Sequence, residues 1–397
     1  MDYGSSDIGR RLREIRSWRQ LGLRATAELS GISYGYLAKI ERGDKPVNSR
    51  KVLEALSATL RVSPSELIGK PYAPVDVPSG DVHAAVPAIE DALTAWWVGE
   101  VPDGPQRSWQ LVRADLERLN TVLRPNADFA AQAELLPVLI RDLLAAVEDQ
   151  RHQRAALIGL LSAYKSAAYL AHDLGVGGLP TLAVERMRQV AERLDDPMWT
   201  TYAGYQRAQL LGGVNRRRQY ELAVGVADAQ GARTETAGLA HLTAALASAA
   251  QGNADTARTH LDEAADLAEC IEADVSPWMQ TNFGRTNVGI WQVSIGVELG
   301  YGAKVEEIAS SVRPGGVSQS RQAAFWMDYG RGLMTEAKTR ERGLVALLKA
   351  EQLAPQKIRN NVFAREAVAD QLRRAQRDAG GRELRGLAWR MGVAPTG

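Results

Sequence analysis

Residues 19–56, RQLGLRATAELSGISYGYLAKIERGDKPVNSRKVLEAL, decide how the first part of the chain folds. Segment 23–30 has the length of a short helix. Gly31 marks a tight turn, and Ser33 stands where a hydroxyl caps a helix that ends at Gly43. Ser49 caps a further segment with Leu53, Leu56 and Leu60 at helical spacing. Upstream, 7–18 turns Ile8, Leu12 and Ile15 inward and Arg10, Arg11 and Arg13 outward. Downstream, Ser63-Pro64 opens a last turn with Leu67 and Ile68. Five helices around one small core are therefore expected for residues 1–70.

The pattern resembles the Xre (Cro-like) helix-turn-helix family of DNA-binding regulators. The matches are Ala27 at a helix crossing, Gly31 at the turn, Leu37 and Ile40 toward the core, and the Ile-Glu-x-Gly stretch 40–43. The resemblance implies an ion pair between Glu41 and Arg16 that fixes geometry and reads no base. It implies that the third helix enters the major groove, presenting Ser33, Tyr34, Gly35, Ala38, Lys39 and Arg42 to base edges. Arg24, Tyr36, Lys45, Asn48 and Arg50 are then the phosphate contacts. Gly22, Leu23 and Thr26 depart from the family, which often has a Ser or Thr cap, a Gln and a core Leu there, so affinity rests more on the arginines. One such head makes few base contacts, so a homodimer on a palindromic operator in double-stranded DNA is expected.

Charge agrees with this division. Residues 1–70 carry 13 Lys and Arg against 8 Asp and Glu, leaving 35 against 39 for the remainder, so a basic head precedes a mildly acidic body. At 397 residues and 45% apolar composition the chain has material for two or three cores. It has no long uncharged apolar run and no charged-then-apolar leader, so the expectation is a cytoplasmic protein with no membrane partner. Cys270, the single cysteine, lies in an alanine-rich pattern and reads as a small buried apolar group.

Four prolines in PYAPVDVPSGDVHAAVP interrupt residues 71–87, which read as a linker that packs on the array rather than hanging free. From 88 to 397 almost every segment carries an apolar period of 3.6, broken at intervals by Gly, Pro, Asn or Asp, with no strand pattern. The clearest unit, 238–269, turns from one helix into another at Gly252-Asn253, with Ala245 and Ala257 small enough for close approach. Weaker pairs fall at 151–174 with 178–195, 197–212 with 216–230, 276–299 with 303–312, and 321–338 with 341–353. Earlier helices are expected near 88–98, 106–123 and 126–147, and terminal ones over 361–392. The unit resembles tetratricopeptide repeats, and the domain order resembles a group of actinobacterial regulators and, by architecture, the peptide-pheromone receptors of Gram-positive bacteria. The expected fold is all-α: a five-helix Cro-like head, then a tetratricopeptide-like α-solenoid that senses and dimerises, its groove taking a ligand.

For the effector, a peptide or small molecule, the stretch 276–300 gathers Trp278, Asn282, Arg285, Asn287 and Trp291. Read as one helix, it sets Trp278, Asn282 and Arg285 on a single face. Amides and a guanidinium among tryptophans suit a peptide or planar metabolite, although the same composition also packs ordinary cores. Trp326 and Tyr329 join as lesser candidates. His83, His152, His172, His241 and His260 are scattered without metal-ligand spacing, and no phosphate-binding loop or nucleophile elbow occurs, so neither enzyme, metal nor cofactor is expected. Arg216, Arg217 and Arg218 read as a solvated corner. The resulting expectation is a sequence-specific transcription regulator modulated by an effector in the array groove. The alternative is control by a protein partner docked on the array.

Overall fold

The computed structural model describes residues 8–69, 77–211, 215–375 and 381–393, and every regular element in them is helical. The head has α1 (Ile8–Trp18), α2 (Leu23–Leu29), α3 (Tyr34–Glu41), α4 (Arg50–Leu60) and α5 (Pro64–Ile68). Local chemistry sets these boundaries. Gly31 turns at a φ of +64°, which suits a residue without Cβ. Ser33 Oγ accepts the Tyr36 amide at 3.2 Å, and Ser49 Oγ accepts that of Val52 at 3.3 Å, so both following helices begin capped. Buried Thr26 donates its hydroxyl to the Gly22 carbonyl at 3.0 Å, which satisfies a polar group in a leucine's usual place. Ile8, Leu12, Ala27, Leu37, Ile40, Leu53, Leu56, Leu60 and Leu67 form the core, and Phe363, from the far end of the chain, joins them.

The array begins earlier than the sequence pattern indicates. Helix α6 (Val77–Ala84) runs through the second half of the proline-rich stretch, with Pro78 in its first turn and Val82 fully buried in the array core. The first half of that stretch lies outside the described residues. Single helices α7 (Val86–Thr94), α8 (Trp109–Arg118) and α9 (Phe129–Ala146) follow. Paired ones come next: α10 (Gln153–Asp173) with α11 (Leu179–Leu194), α12 (Pro197–Leu210) with α13 (Arg216–Ala227), and α14 (Thr234–Ala250) with α15 (Ala254–Glu269). After these stand α16 (Arg285–Glu298), the short α17 (Val305–Ala309), the pair α18 (Gln319–Leu333) and α19 (Arg340–Leu353), then α20 (Pro355–Asn360), α21 (Val362–Ala375) and α22 (Arg382–Arg390). Consecutive helices pack on one another as an α-solenoid. Its second half folds back on its first, where Lys357 pairs with Asp173 at 2.9 Å and the Gln319 amide donates to the Pro125 carbonyl at 2.7 Å.

The segment expected as one helix from 276 is not one. Residues 276–284 form a closed loop in which Met279, Gln280 and Asn282 are left-handed, at φ of +46°, +47° and +57°, and regular helix starts only at Arg285. Pro277 and Gly284 break the helical hydrogen bonding at either end. The Ser276 amide donates to the Phe283 carbonyl at 2.7 Å, and the fully buried Phe283 ring lies on Gly238 of α14. That contact holds left-handed backbone that costs on the order of 1 kcal/mol or more per residue. Cys270 is exposed, contrary to the apolar reading, because it caps the end of α15 rather than facing inward.

A Cβ on Gly238 would stand 2.0 Å from the Phe283 ring. Gly238→Ala should therefore destabilise the chain by about 1–3 kcal/mol through overpacking. At Gly225, exposed in α13 with open space around it, the same change should stabilise by up to about 1 kcal/mol. Thermal melts followed by circular dichroism separate the two; similar melting for both variants would show that Phe283 is not held by this contact.

Candidate functional site

Helix α3 presents its first turns to solvent. Tyr34 is 54% exposed, and Arg24, Ser33, Gly35, Lys39, Arg42, Lys45 and Asn48 are exposed with it. Bidentate contact of Arg16 with Glu41, at 2.5 and 2.8 Å, ties α1 to the end of α3, while Arg16 Nη1 also donates to the Leu21 carbonyl at 2.8 Å. Tyr36 is half-buried, its hydroxyl 3.4 Å from the Pro46 carbonyl. Ala38 is buried, so its methyl does not stand on the exposed face with Lys39 as the family resemblance implied. The helix is only eight residues long, and its inward stripe of Leu37 and Ile40 takes the adjacent position with it.

Residues 7–67 match the helix-turn-helix domain family. That match spans α1 to α5 of the head. No curated protein matches the chain. Among solved structures, that of ComR from S. thermophilus in complex with DNA and its signalling peptide ComS is similar at 12% identity, covering 86% of this chain and 99% of that one. The TM-score of 0.27 makes this a distant likeness that assigns no function.

The head is docked on the array largely through charges. Arg50, expected at a phosphate, instead grips Glu298 of α16: its guanidinium Nη1 stands 2.5 Å from Oε1, and its amide, at the N-terminus of α4, donates to Oε2 at 2.9 Å. The Glu298 side chain is fully buried. Arg331 of α18, also buried, donates to the Asn48 carbonyl at 2.6 Å, pairs with Asp328 at 2.7 Å and lies 3.8 Å from Glu298. Arg50 and Arg331 both lie over the Phe363 ring, at 5.3 and 4.7 Å. Arg216 is no solvated corner: it pairs with Glu54 of the head at 2.9 Å, whereas Arg217 and Arg218 remain outside and pair with Glu221. Burial pulls the Arg50 pKa down, but Glu298, Asp328 and Glu54 outweigh it and raise the pKa above its ordinary value.

Where the halves of the array meet they leave a half-enclosed cavity of about 740 Å³, lined from α10, α12, loop 276–284, α16 and the start of α18. Three of the effector candidates line it: Asn282, Asn287 and Trp291. Asn287 Oδ1 accepts from Arg321 Nε at 2.6 Å, and Arg321 stacks on Trp291 at 4.8 Å. Trp278 lies elsewhere, between Trp199 at 6.0 Å and Tyr202 at 5.1 Å, because the left-handed backbone at Met279 and Gln280 turns it from the face it would share on a helix. Arg285 sits on the outer surface, with Nη1 3.2 Å from the Ile271 carbonyl. Trp326 packs on Phe325 and Tyr329 under the Lys349 ammonium.

Sequence reasoning missed Glu298, Arg331, Arg124, Lys165 and Arg321. Lys165 carried a signal, a lone charge within the apolar run LIGLLSAYKSAAYLA of α10; the others look like ordinary surface charges until the chain folds. Nor are all the histidines scattered. His241 and His260 meet across α14 and α15 with Nδ1 atoms 3.0 Å apart, and burial holds both below the usual imidazole range. Among the described residues no group of three or more potential metal ligands forms, and no helix is long and apolar enough to cross a membrane.

Lys39→Ala should weaken binding to a selected duplex by about 1–3 kcal/mol while leaving random-duplex binding nearly intact. Equal losses on both, measured at one salt concentration, would move Lys39 to the phosphate backbone.

Proposed function

We propose that the chain is a transcription regulator of the Xre type, binding a palindromic operator as a homodimer and held back by its own tetratricopeptide-like array. The observation that carries this is the position of Glu298. A helix N-terminus with a free amide and an adjacent arginine is a ready site for a DNA phosphate. At the start of α4 that site holds the Glu298 carboxylate instead. The head therefore cannot rest on the array and place Arg50 on DNA at once.

Two helices join this latch to the cavity. Helix α16 carries Asn287 and Trp291 at the cavity and Glu298 at the latch; α18 carries Arg321 at the cavity and Asp328 and Arg331 at the latch. At about 1.5 Å per residue, each spans roughly 15 Å between the two sites. An effector that fits the unlatched arrangement better than the latched one shifts the balance by that difference in affinity and no more. A partner protein docked on the array is the second reading. The cavity, set between the array's halves, favours an occupant small enough to enter.

Glu298→Gln should tighten operator binding by at least about tenfold, because an array without that carboxylate no longer competes for the head and leaves Arg50 without its ion-pair partner in the docked state. Arg50→Ala removes the same latch but should weaken binding, since the phosphate loses its partner. Opposite signs, from quantitative binding by chains with wild-type circular dichroism, are expected. A loss in both variants, or no change in Glu298→Gln, would reduce the Arg50–Glu298 contact to a structural ion pair.

A further inference from the structure

We infer that the cavity is an anion site, taking a small ligand with two or more carboxylate or phosphate groups. Four cationic side chains line the cavity, Arg124, Lys165, Arg321 and Lys357, against one carboxylate, Asp173. Lys357 and Asp173 neutralise each other at 2.9 Å. The other three have no carboxylate within ion-pair distance among the described residues, only neutral acceptors. Arg124 Nη1 donates to Gln280 Oε1 at 2.9 Å, Arg321 Nε to Asn287 Oδ1 at 2.6 Å, and Lys165 Nζ to the carbonyls of Met279 and Gln280. The contrast with the latch is sharp: there Arg50, Arg216 and Arg331 each meet a carboxylate. Lys165 is buried, and Arg124 and Arg321 are half-buried; a charge withdrawn from water without a counter-charge is costly, and a bound anion removes that cost.

The unused polar atoms at this site point the same way. Arg321 Nη2, Ser166 Oγ and Gln206 Nε2 are buried without a hydrogen-bond partner, and Ser166 and Gln206 are each 1% exposed. The Gln206 carbonyl is already taken by the Tyr169 hydroxyl at 3.0 Å, which leaves its amide to donate. All three atoms can donate to an oxyanion; Asn120 Oδ1, also unpartnered at the rim, can accept from a ligand hydroxyl or amine. The cations lie in two places: Arg124 and Lys165 share Gln280, while Arg321 sits with Asn287 and Trp291. Burial lowers all three, Lys165 well below the usual ammonium range with Arg124 adding to the effect, and Arg321 to about 10. Two such places call for a ligand with two anionic groups, and the volume suits a metabolite or a very short acidic peptide.

This site deepens the effector reading and rests on it for its link to DNA, but binding can be measured without DNA. The full chain is titrated calorimetrically with citrate, inorganic pyrophosphate and triglutamate, each at ionic strength fixed with sodium chloride. Saturable one-to-one binding of at least one probe is expected; preference for citrate or triglutamate identifies a carboxylate ligand, and preference for pyrophosphate a phosphate. Arg321→Gln and Lys165→Met should each weaken binding by at least about tenfold. With no probe present, Arg321→Gln should melt no lower than wild type, because it removes a charge that has no carboxylate within ion-pair distance; a purely structural arginine would melt lower. No saturable binding to the wild type, or undiminished binding to Arg321→Gln, overturns the inference. Binding that leaves operator affinity unchanged keeps the anion site and removes the regulatory reading instead.

Discussion

The boundary between the two parts of this chain is built around a buried charge. Glu298 is out of contact with water, and such a carboxylate must be met by cations or it would cost several kcal/mol. Arg50 meets it from the head and Arg331 from the array, and the circle closes through Asp328, Glu54 and Arg216. Three positive and three negative side chains face each other, with Phe363 beneath the two central guanidiniums. A boundary of this kind adds little net stability compared with an apolar one, but it is selective about what replaces it. A DNA phosphate offers Arg50 the same charge that Glu298 does. Glu298, once released, still has Arg331 beside it, so the exchange strands no buried charge in the array.

The same helices that form the boundary also wall the cavity, and this gives the arrangement its economy. Packed helices move as rigid bodies and do not deform continuously, so an adjustment at the N-terminal ends of α16 and α18 is felt at their C-terminal ends. Loop 276–284 is placed to supply such an adjustment. Its left-handed residues are held by Phe283 on Gly238 and by Ser276, whose hydroxyl donates to Glu235 at 2.8 Å, and its carbonyls are what Lys165 grips. A ligand that takes over Lys165 would free them.

The head was legible in the sequence because its determinants are local. Gly31, Ser33 and Ser49 act within four residues of themselves, and the Arg16–Glu41 pair came with the family resemblance. The array's pairs were legible for the same reason at 151–174 with 178–195 and at 238–269, within a few residues of the helices found, because the helical period there is long and clean. Loop 276–284 was not, since the contact that holds its backbone comes from Gly238, far away in sequence. Nor was the latch: Arg216 reaches Glu54 across 162 residues, Arg50 reaches Glu298 across 248 and Arg331 reaches Asn48 across 283. Asn282, Asn287 and Trp291 were singled out by composition and do line the cavity, whereas Trp278, Arg285 and Trp326 share that composition and lie elsewhere. Composition alone does not distinguish a recognition surface from packing.

If Glu298 stands in for a phosphate, the head leaves the array when it takes DNA. Cys270 is exposed on the array and is the single cysteine of the chain, so a second label site in the head, made by Arg13→Cys on the exposed face of α1, gives one defined spin-label pair per protomer, isolated from the partner's labels by mixing the labelled chain with an excess of unlabelled chain. Pulsed electron spin resonance on the full chain should then show one narrow distance distribution in the free protein and a different one when a duplex selected from random sequence is bound. An unchanged distribution on the bound duplex would mean that the head reads DNA while still docked, and that Glu298 does not stand in for a phosphate.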